Sequence, residues 1–190
     1  MKAAYADPPY LGMGKSMYGK YHPDAADCDD PEWHRALIER LSRDYEAWAL
    51  SLHSVSLRVI LPMCPEDCRV MAWVKTFASY KPGVNPAYAW EPVIVRGGRK
   101  RLRYDLTIRD WIAEPITLIR SCPGAKPEAF AFWIFDMLNL HPDDDFSDLF
   151  PGSGAVTRAW DEFRQRPGLP LAMARSAPAG PSLDFGEPDD

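Results

Sequence analysis

The chain lacks any apolar run long enough to cross a bilayer, which takes about 20 residues, so a membrane partner is not expected. It also lacks a charged-then-apolar leader: Lys2 to Ala6 already has the pattern of a strand, and a cytoplasmic location is expected. Cysteine is scarce. Cys28, Cys64, Cys68 and Cys122 are too few for a disulfide framework in a 190-residue chain, and they are expected to be reduced thiols. Cys64 and Cys68 have near-metal spacing, but no matching pair of Cys or His follows, so no metal site is expected. His22, His34, His53 and His141 are scattered; only His53, at the end of a predicted strand, is placed to line a pocket. No excess of positive charge advertises a nucleic-acid partner, since 22 Lys and Arg stand against 27 Asp and Glu for a net charge of −5. Distribution matters more than that sum. No internal repeat is present.

What is there reads as one α/β domain over residues 1–166, long enough for a proper core. Strands are predicted at Lys2–Ala6, Ala49–His53, Arg69–Lys75 and Pro92–Arg96. The fourth follows the third without a clear helix between and is expected to be antiparallel. A helix is predicted over Pro31–Trp48, with Asp30 as N-cap, Pro31 at the first position, and Leu37, Ile38, Leu41, Tyr45 and Trp48 at helical period. A short helix follows over Ser56–Met63. From Arg164 the composition turns to Pro, Gly, Ala, Ser and acid, and residues 167–190 are expected to be a disordered acidic tail.

Three local patterns carry chemistry. The first strand runs into Asp7-Pro8-Pro9-Tyr10. Consecutive prolines fix φ and donate no N–H, so the turn is stiff and its carbonyls stay free. A carboxylate and a carbonyl then stand beside an aromatic face on which a base can stack. Asp, Pro and Tyr also populate ordinary strand-to-loop turns. The second pattern is Asp148-Leu149-Phe150-Pro151-Gly152-Ser153-Gly154, a strand over Phe146–Phe150 ending in a glycine turn. A helix is predicted after it over Ala155–Phe163, with Ala155, Ala159, Trp160 and Phe163 on its apolar face. Glycines admit close backbone approach, and a helix N-terminus offers free N–H groups. A lone Gly-x-Gly is otherwise a tight turn. The third is Lys126-Pro127, opening a helix over Glu128–Phe135.

Together these resemble the DNA amino-methyltransferases of phages and restriction–modification systems, in the permuted beta-group order with the catalytic tetrapeptide first and the cofactor loop last. The similarity spans Tyr5 to about Phe163 and includes Ala72-Trp73-Val74-Lys75 and a strand opening near Glu91. It implies a Rossmann-like methyltransferase sheet, circularly permuted, and S-adenosylmethionine as cofactor, with no metal. Asp7, Pro8, Pro9 and Tyr10 would be catalytic. Asp148, Phe150, Gly152, Ser153, Gly154, Lys126 and Pro127 would hold the cofactor. An exocyclic amino nitrogen is a poor nucleophile, and acceptors pulling on its hydrogens let it become pyramidal. Asp in the first position favours adenine N6, with cytosine N4 as runner-up. A nucleic-acid-binding protein that has lost catalysis is a competing reading, and the substrate could also be RNA or a free nucleotide.

The chain departs from the family after the glycine loop. Leu169–Ala174 ends in Arg175, where the family has an acid for the ribose hydroxyls, and the next strand is absent, so the sheet is expected to be truncated at the end of its cofactor half. The stretch from Glu91 to Lys126 is short for a recognition domain, which would make a homodimer useful. DNA phosphates would meet Arg96, Arg99, Lys100, Arg101 and Arg103, a run reaching Arg109 with Asp105 as its one acid and Gly97-Gly98 as a mobile joint. The competing reading is a solvated hairpin tip. A second candidate is the loop Leu11–His22, where Lys15 and Lys20 lie among Gly12, Gly14, Gly19, Tyr18 and Tyr21 and could close over a flipped base.

Overall fold

The computed structural model describes residues 1–20, 22–77, 83–117 and 124–165. Tyr21, Cys122, the Leu169–Arg175 stretch and the expected tail lie outside the described residues. One six-stranded sheet has the order β5-β3-β4-β2-β1-β6. Its strands are β1 (Lys2–Ala6), β2 (Ala47–Ser51), β3 (Arg69–Val74), β4 (Trp90–Gly97), β5 (Trp111–Ala113) and β6 (Asp145–Asp148). All neighbours pair in parallel except β4, which is antiparallel to both β2 and β3, as its short connection predicts.

Alternation along each strand divides the core between two faces. Ala4 and Ala6 of β1, Trp48 and Leu50 of β2, and Ile94 of β4 pack with Leu37, Ile38 and Leu41 of α1 (Pro31–Asp44) and Ile60 of α2 (Leu57–Ile60). Ala3, Tyr5, Ala47, Ala49, Val93 and Val95 face the other way. They meet Phe130, Ile134 and Phe135 of α3 (Glu128–Met137) and Ala159 and Trp160 of α4 (Ala155–Gln165). β1 is therefore covered on both sides, which explains its unbroken apolar run.

Helix α1 begins where expected: the Asp30 side chain accepts the Glu32 amide, and Pro31 opens the helix. It ends earlier than the periodicity suggests. Asp44 is its last residue, Tyr45 turns extended, and Trp48 belongs to β2, which begins at Ala47 and not at Ala49. Tyr45 and Trp48 continue the helical spacing by coincidence, since Trp48 fills the same α1-side core from the sheet. The predicted helix at Ser56–Met63 is a single α turn flanked by 3-10 turns at Ser54–Ser56 and Leu61–Met63. No helix among the described residues is long and apolar enough to cross a membrane.

Candidate active site

The carboxyl ends of β1 and β6 lie side by side. Tyr5 pairs with Asp148, and the Leu149 amide donates to the Tyr5 carbonyl at 2.9 Å. The Asp7 turn and the glycine loop, from opposite ends of the chain, thus leave the sheet at one edge. Helix α1, which follows β1, packs on one face, while α4, which follows β6, packs on the other. Open α/β sheets bind ligands in the crevice at such a switch point.

On the β1 side, Asp7 belongs to a buried ionic cluster. Lys126, immediately before α3, places Nζ 2.9 Å from both Asp7 carboxylate oxygens, 3.0 Å from the Tyr10 hydroxyl and 3.3 Å from Glu91 Oε2. The Tyr10 hydroxyl lies 3.1 Å from Asp7 Oδ1 and 2.9 Å from Glu91 Oε2. Lys75, just past β3, donates to Glu91 Oε1 at 2.5 Å. The Trp73 ring lies within 5.6 Å of both lysine ammonium groups. Below the cluster, Tyr5 and Ser51 share a hydrogen bond of 2.8 Å.

The electrostatics follow from burial and pairing. Burial pushes the Asp7 carboxyl above its ordinary range, Lys126 opposes that push, and Glu91 adds to it. Burial would also raise Glu91, but Lys126 and Lys75 outweigh it and hold that carboxyl down at about 2. Lys126 resists the burial that would discharge it, because Asp7 and Glu91 raise its proton affinity well above the ordinary lysine value. Burial and the Asp7 charge push the Tyr10 hydroxyl up as well, so it stays a protonated donor.

On the β6 side, Gly152 and Gly154 have φ of 46° and 71°, the left-handed region that side chains avoid. The Gly154 amide closes the turn on the Pro151 carbonyl at 2.5 Å, and α4 starts at the next residue. The Thr157 hydroxyl donates to Asp148 Oδ2 at 2.9 Å. Asp148 Oδ1 is buried and makes no hydrogen bond among the described residues. Burial raises its carboxyl, with Thr157 and the Phe150 amide opposing. Phe150 turns inward against Trp33 of α1, with ring centroids 6.0 Å apart, and Arg158 caps the Ser153 carbonyl at 2.8 Å.

The loop after the tetrapeptide is built, not loose. Gly14–Tyr18 form a π-helical turn on the 3-10 helix Pro23–Asp29, and Asp29 accepts the Gly14 and Lys15 amides at 2.7 and 3.0 Å. These amides hold the Asp29 carboxyl below its ordinary range. A Cβ at Gly14 would come 1.9 Å from the Ala25 carbonyl oxygen, so only glycine fits. Lys15 and Lys20 are exposed on this loop, which leads directly out of the tetrapeptide.

The basic run is elsewhere. Because β4 is antiparallel, Arg96 and Gly97 pair with Trp48 and Ala47 at the amino end of β2. That is the opposite pole of the sheet from Asp7, about 17 Å away by the rise of a five-residue strand. There Arg96 bonds Asp67 at 2.8 Å, Arg99 chelates Asp144 at 2.8 and 3.1 Å, and Arg101 donates to the Asp136 carbonyl. Gly97-Gly98 is a tight positive-φ joint against Glu46 and Leu138. Lys100 and Arg103 are exposed on the same segment, with Arg103 over the Tyr104 ring. The structure does not bring these residues together with Asp7.

Two further placements differ from expectation. Lys126 sits on Asp7 and Glu91, with none of its hydrogen bonds reaching the glycine loop, and Pro127 serves as the N-terminal boundary of α3, accepting the Phe130 amide at 3.0 Å. Glu91 and Lys75 stand in the sequence only as parts of a family pattern, whereas in the fold they anchor the cluster. His53, expected to line a pocket, is instead one residue outside the lining of a cavity that begins at Ser54. It stacks on Tyr10 at 6.3 Å and meets Tyr88 at 4.4 Å, beside that cavity of about 390 Å³ lined by Ser54, Gly83, Asn85, Tyr88 and Trp90.

No family model and no curated protein sequence matches the chain. Solved structures do. M1.HpyAVI in its complex with SAM (S-adenosylmethionine) matches with a TM-score of 0.54 at 15% identity, over 86% of this chain and 78% of that one. M1.HpyAVI in a second crystal structure matches with a TM-score of 0.52 at 14% identity, over 86% and 76%. At such identity the likeness is one of fold. The expected α/β sheet is the architecture this chain has, and it shares that fold with M1.HpyAVI.

Proposed function

We propose that the protein is an S-adenosylmethionine-dependent DNA methyltransferase that modifies the exocyclic amino nitrogen of adenine, N6. The observation that carries this reading is the pairing of β1 with β6, which sets the Asp7-Pro8-Pro9-Tyr10 turn beside the Asp148–Gly154 loop. The fold match to a SAM complex supports it.

The β6 loop suits the cofactor. Asp148 Oδ1 makes no hydrogen bond among the described residues, and an amino-acid ammonium group would give it one. The positive-φ glycines keep the turn free of side chains, and the start of α4 offers amides to a carboxylate. Gly152, Ser153 and Gly154 would line the loop, with Phe150 bracing it from below. When bound, the cofactor supplies a methyl group on a positively charged sulfur.

The chain's own residues do the rest. The Tyr10 ring stacks the base. An Asp7 carboxylate oxygen accepts one hydrogen of the amino group, and the Pro8 carbonyl accepts the other. The nitrogen lone pair is thereby released from the ring and directed at the methyl group. The amino nitrogen would take the methyl as its bond to sulfur breaks and the bonding pair stays on the sulfur, and Asp7 would accept the surplus proton. Lys15 and Lys20, exposed on the loop beside the turn, would meet backbone phosphates. The stretch between Glu91 and Lys126 is short for a recognition domain, which would make a homodimer useful.

Calorimetric titration with S-adenosylmethionine, followed by tritiated methyl transfer to unmodified DNA, tests the reading. Binding with transfer that Asp7→Ala abolishes is the expected outcome. Label on cytosine N4 would move the reaction to that base. DNA binding without cofactor binding would identify a protein that has lost catalysis.

A further inference from the structure

We infer that Lys126 is a positioning residue for Asp7, one that holds the carboxylate in place and in its anionic form, and that it does not serve the cofactor. The inference rests on the reading of Asp7 as the acceptor of the amino hydrogen. An ammonium group has three hydrogens to donate. Asp7, the Tyr10 hydroxyl and Glu91 take all of them, at 2.9, 3.0 and 3.3 Å. None is left for a carboxylate arriving at the β6 loop.

The depth of the groups fits this role. The Lys126 side chain is 4% exposed and that of Asp7 20%, so the lysine lies beneath the carboxylate and leaves its outer edge to a substrate. Lys126 is itself fixed from behind. Its backbone leads into α3 at Pro127, and Glu91 is held on its other oxygen by Lys75. The four charges Asp7, Glu91, Lys75 and Lys126 sum to zero. Loss of Lys126 alone would leave a buried carboxylate facing another carboxylate without its cation.

The groups facing Asp7 from the surrounding elements set the sign of the effect. Tyr5 comes from β1, Tyr10 from the turn, Glu91 from β4, Asp148 from β6 and Lys126 from the start of α3, while Lys75 acts through Glu91 and His53 through its stack on Tyr10. Of these Lys126 is the one cation in contact with Asp7. Lys126→Met therefore raises the proton affinity of Asp7. Glu91→Gln lowers it, because a like charge disappears and Lys126 is left to Asp7. A lysine with a merely structural role would not give opposite shifts in these two variants.

The test follows the Asp7 carboxylate by carbon-13 NMR, with its signal assigned by loss in Asp7→Asn, and measures S-adenosylmethionine affinity by calorimetry in parallel. The Asp7 midpoint is expected to move up by about one to three pH units in Lys126→Met, down in Glu91→Gln, and little in Lys126→Arg. Cofactor affinity should stay within about threefold of wild type in all of them, less than 1 kcal/mol. Where methyl transfer is detected, the acidic limb of its pH profile should move with the midpoint. An unmoved Asp7 midpoint in Lys126→Met, or an affinity loss of tenfold or more, about 1.4 kcal/mol, would overturn the inference. If Lys126→Met does not fold, the downward shift in Glu91→Gln and the retained midpoint in Lys126→Arg decide the matter, and failure of either overturns it. Absence of methyl transfer by the wild type would instead count against the proposed function, since the NMR midpoint does not depend on turnover.

Discussion

Asp7 and Asp144 stand at opposite poles of β1, and the contrast between them separates chemistry from architecture. Each is a largely buried carboxylate with a cation against it. Burial pushes Asp144 up, but Arg99, the amino group of Met1 and the His141 amide overcome it and hold its carboxyl well below the usual range. Both of its oxygens are occupied by these donors, so it acts as a clasp joining the first strand, the β6 approach and the β4 turn. Asp7 has fewer donors and a second carboxylate nearby, and burial prevails. On the proposed reading, the carboxylate with fewer donors and a raised proton affinity is the acceptor, and the one saturated with donors is structural.

The largest expected effect tests that contrast by swapping each for its amide. Asp7→Asn should lower the methyl-transfer rate by about 10²–10³-fold, the scale for losing a preorganised electrostatic partner, while leaving S-adenosylmethionine affinity unchanged by calorimetry. Asp144→Asn should do the reverse: transfer persists, and urea unfolding shows a loss of about 3 kcal/mol from a broken buried pair.

A second comparison uses glycines. Gly154→Ala at φ 71° and Gly97→Ala at φ 72° both force a side chain into the left-handed region, costing about 1–2 kcal/mol each. At Gly97 the new Cβ would also lie 2.2 Å from the Glu46 carbonyl oxygen, so that variant should lose more stability. Only Gly154→Ala should weaken cofactor binding in calorimetry. Within the reactive pole, Gly14→Ala should cost about 1–3 kcal/mol by overpacking against Ala25, read as a lower unfolding midpoint.

How much of this is legible in the sequence depends on the range over which each feature is encoded. The Asp7 turn and the glycine loop are legible because proline and glycine dictate local backbone, and β1 is legible because its apolar run has sharp ends. Helix α1 announces its start through Asp30 and Pro31 but not its end, where no glycine or proline marks Tyr45. β5 is a three-residue edge strand with an alternation too short to register. Lys126 lies 119 positions from Asp7, and no local spacing connects them. The basic run between Arg96 and Arg103 is visible as charge. Its place at the far pole follows from the antiparallel course of β4, a consequence of tertiary pairing.

The smallest expected effects are in pH dependence, and here too the poles differ. Glu91 is held down at about 2 in the fold, so its stabilisation is present above its unfolded value of 4.5 and fades as pH falls through about 2. Asp136, near Arg101, behaves oppositely. Burial raises its carboxyl to about 6 from 3.8, Arg101 opposing, so its contribution is present at low pH and is lost as pH rises through about 6. Asp136→Asn should flatten the stability profile between those values, and Glu91→Gln should flatten it on the acid side, both measured by denaturation across pH.

The most direct test of the central claim, that Asp7 and the β6 loop form one methyl-transfer site, is mass spectrometry of nucleosides from unmodified DNA incubated with the protein and S-adenosylmethionine. N6-methyladenine from the wild type, accumulating about 10²–10³-fold more slowly with Asp7→Asn, is the expected result. No methylated base from a wild type that binds the cofactor, or equal methylation by Asp7→Asn, would contradict it.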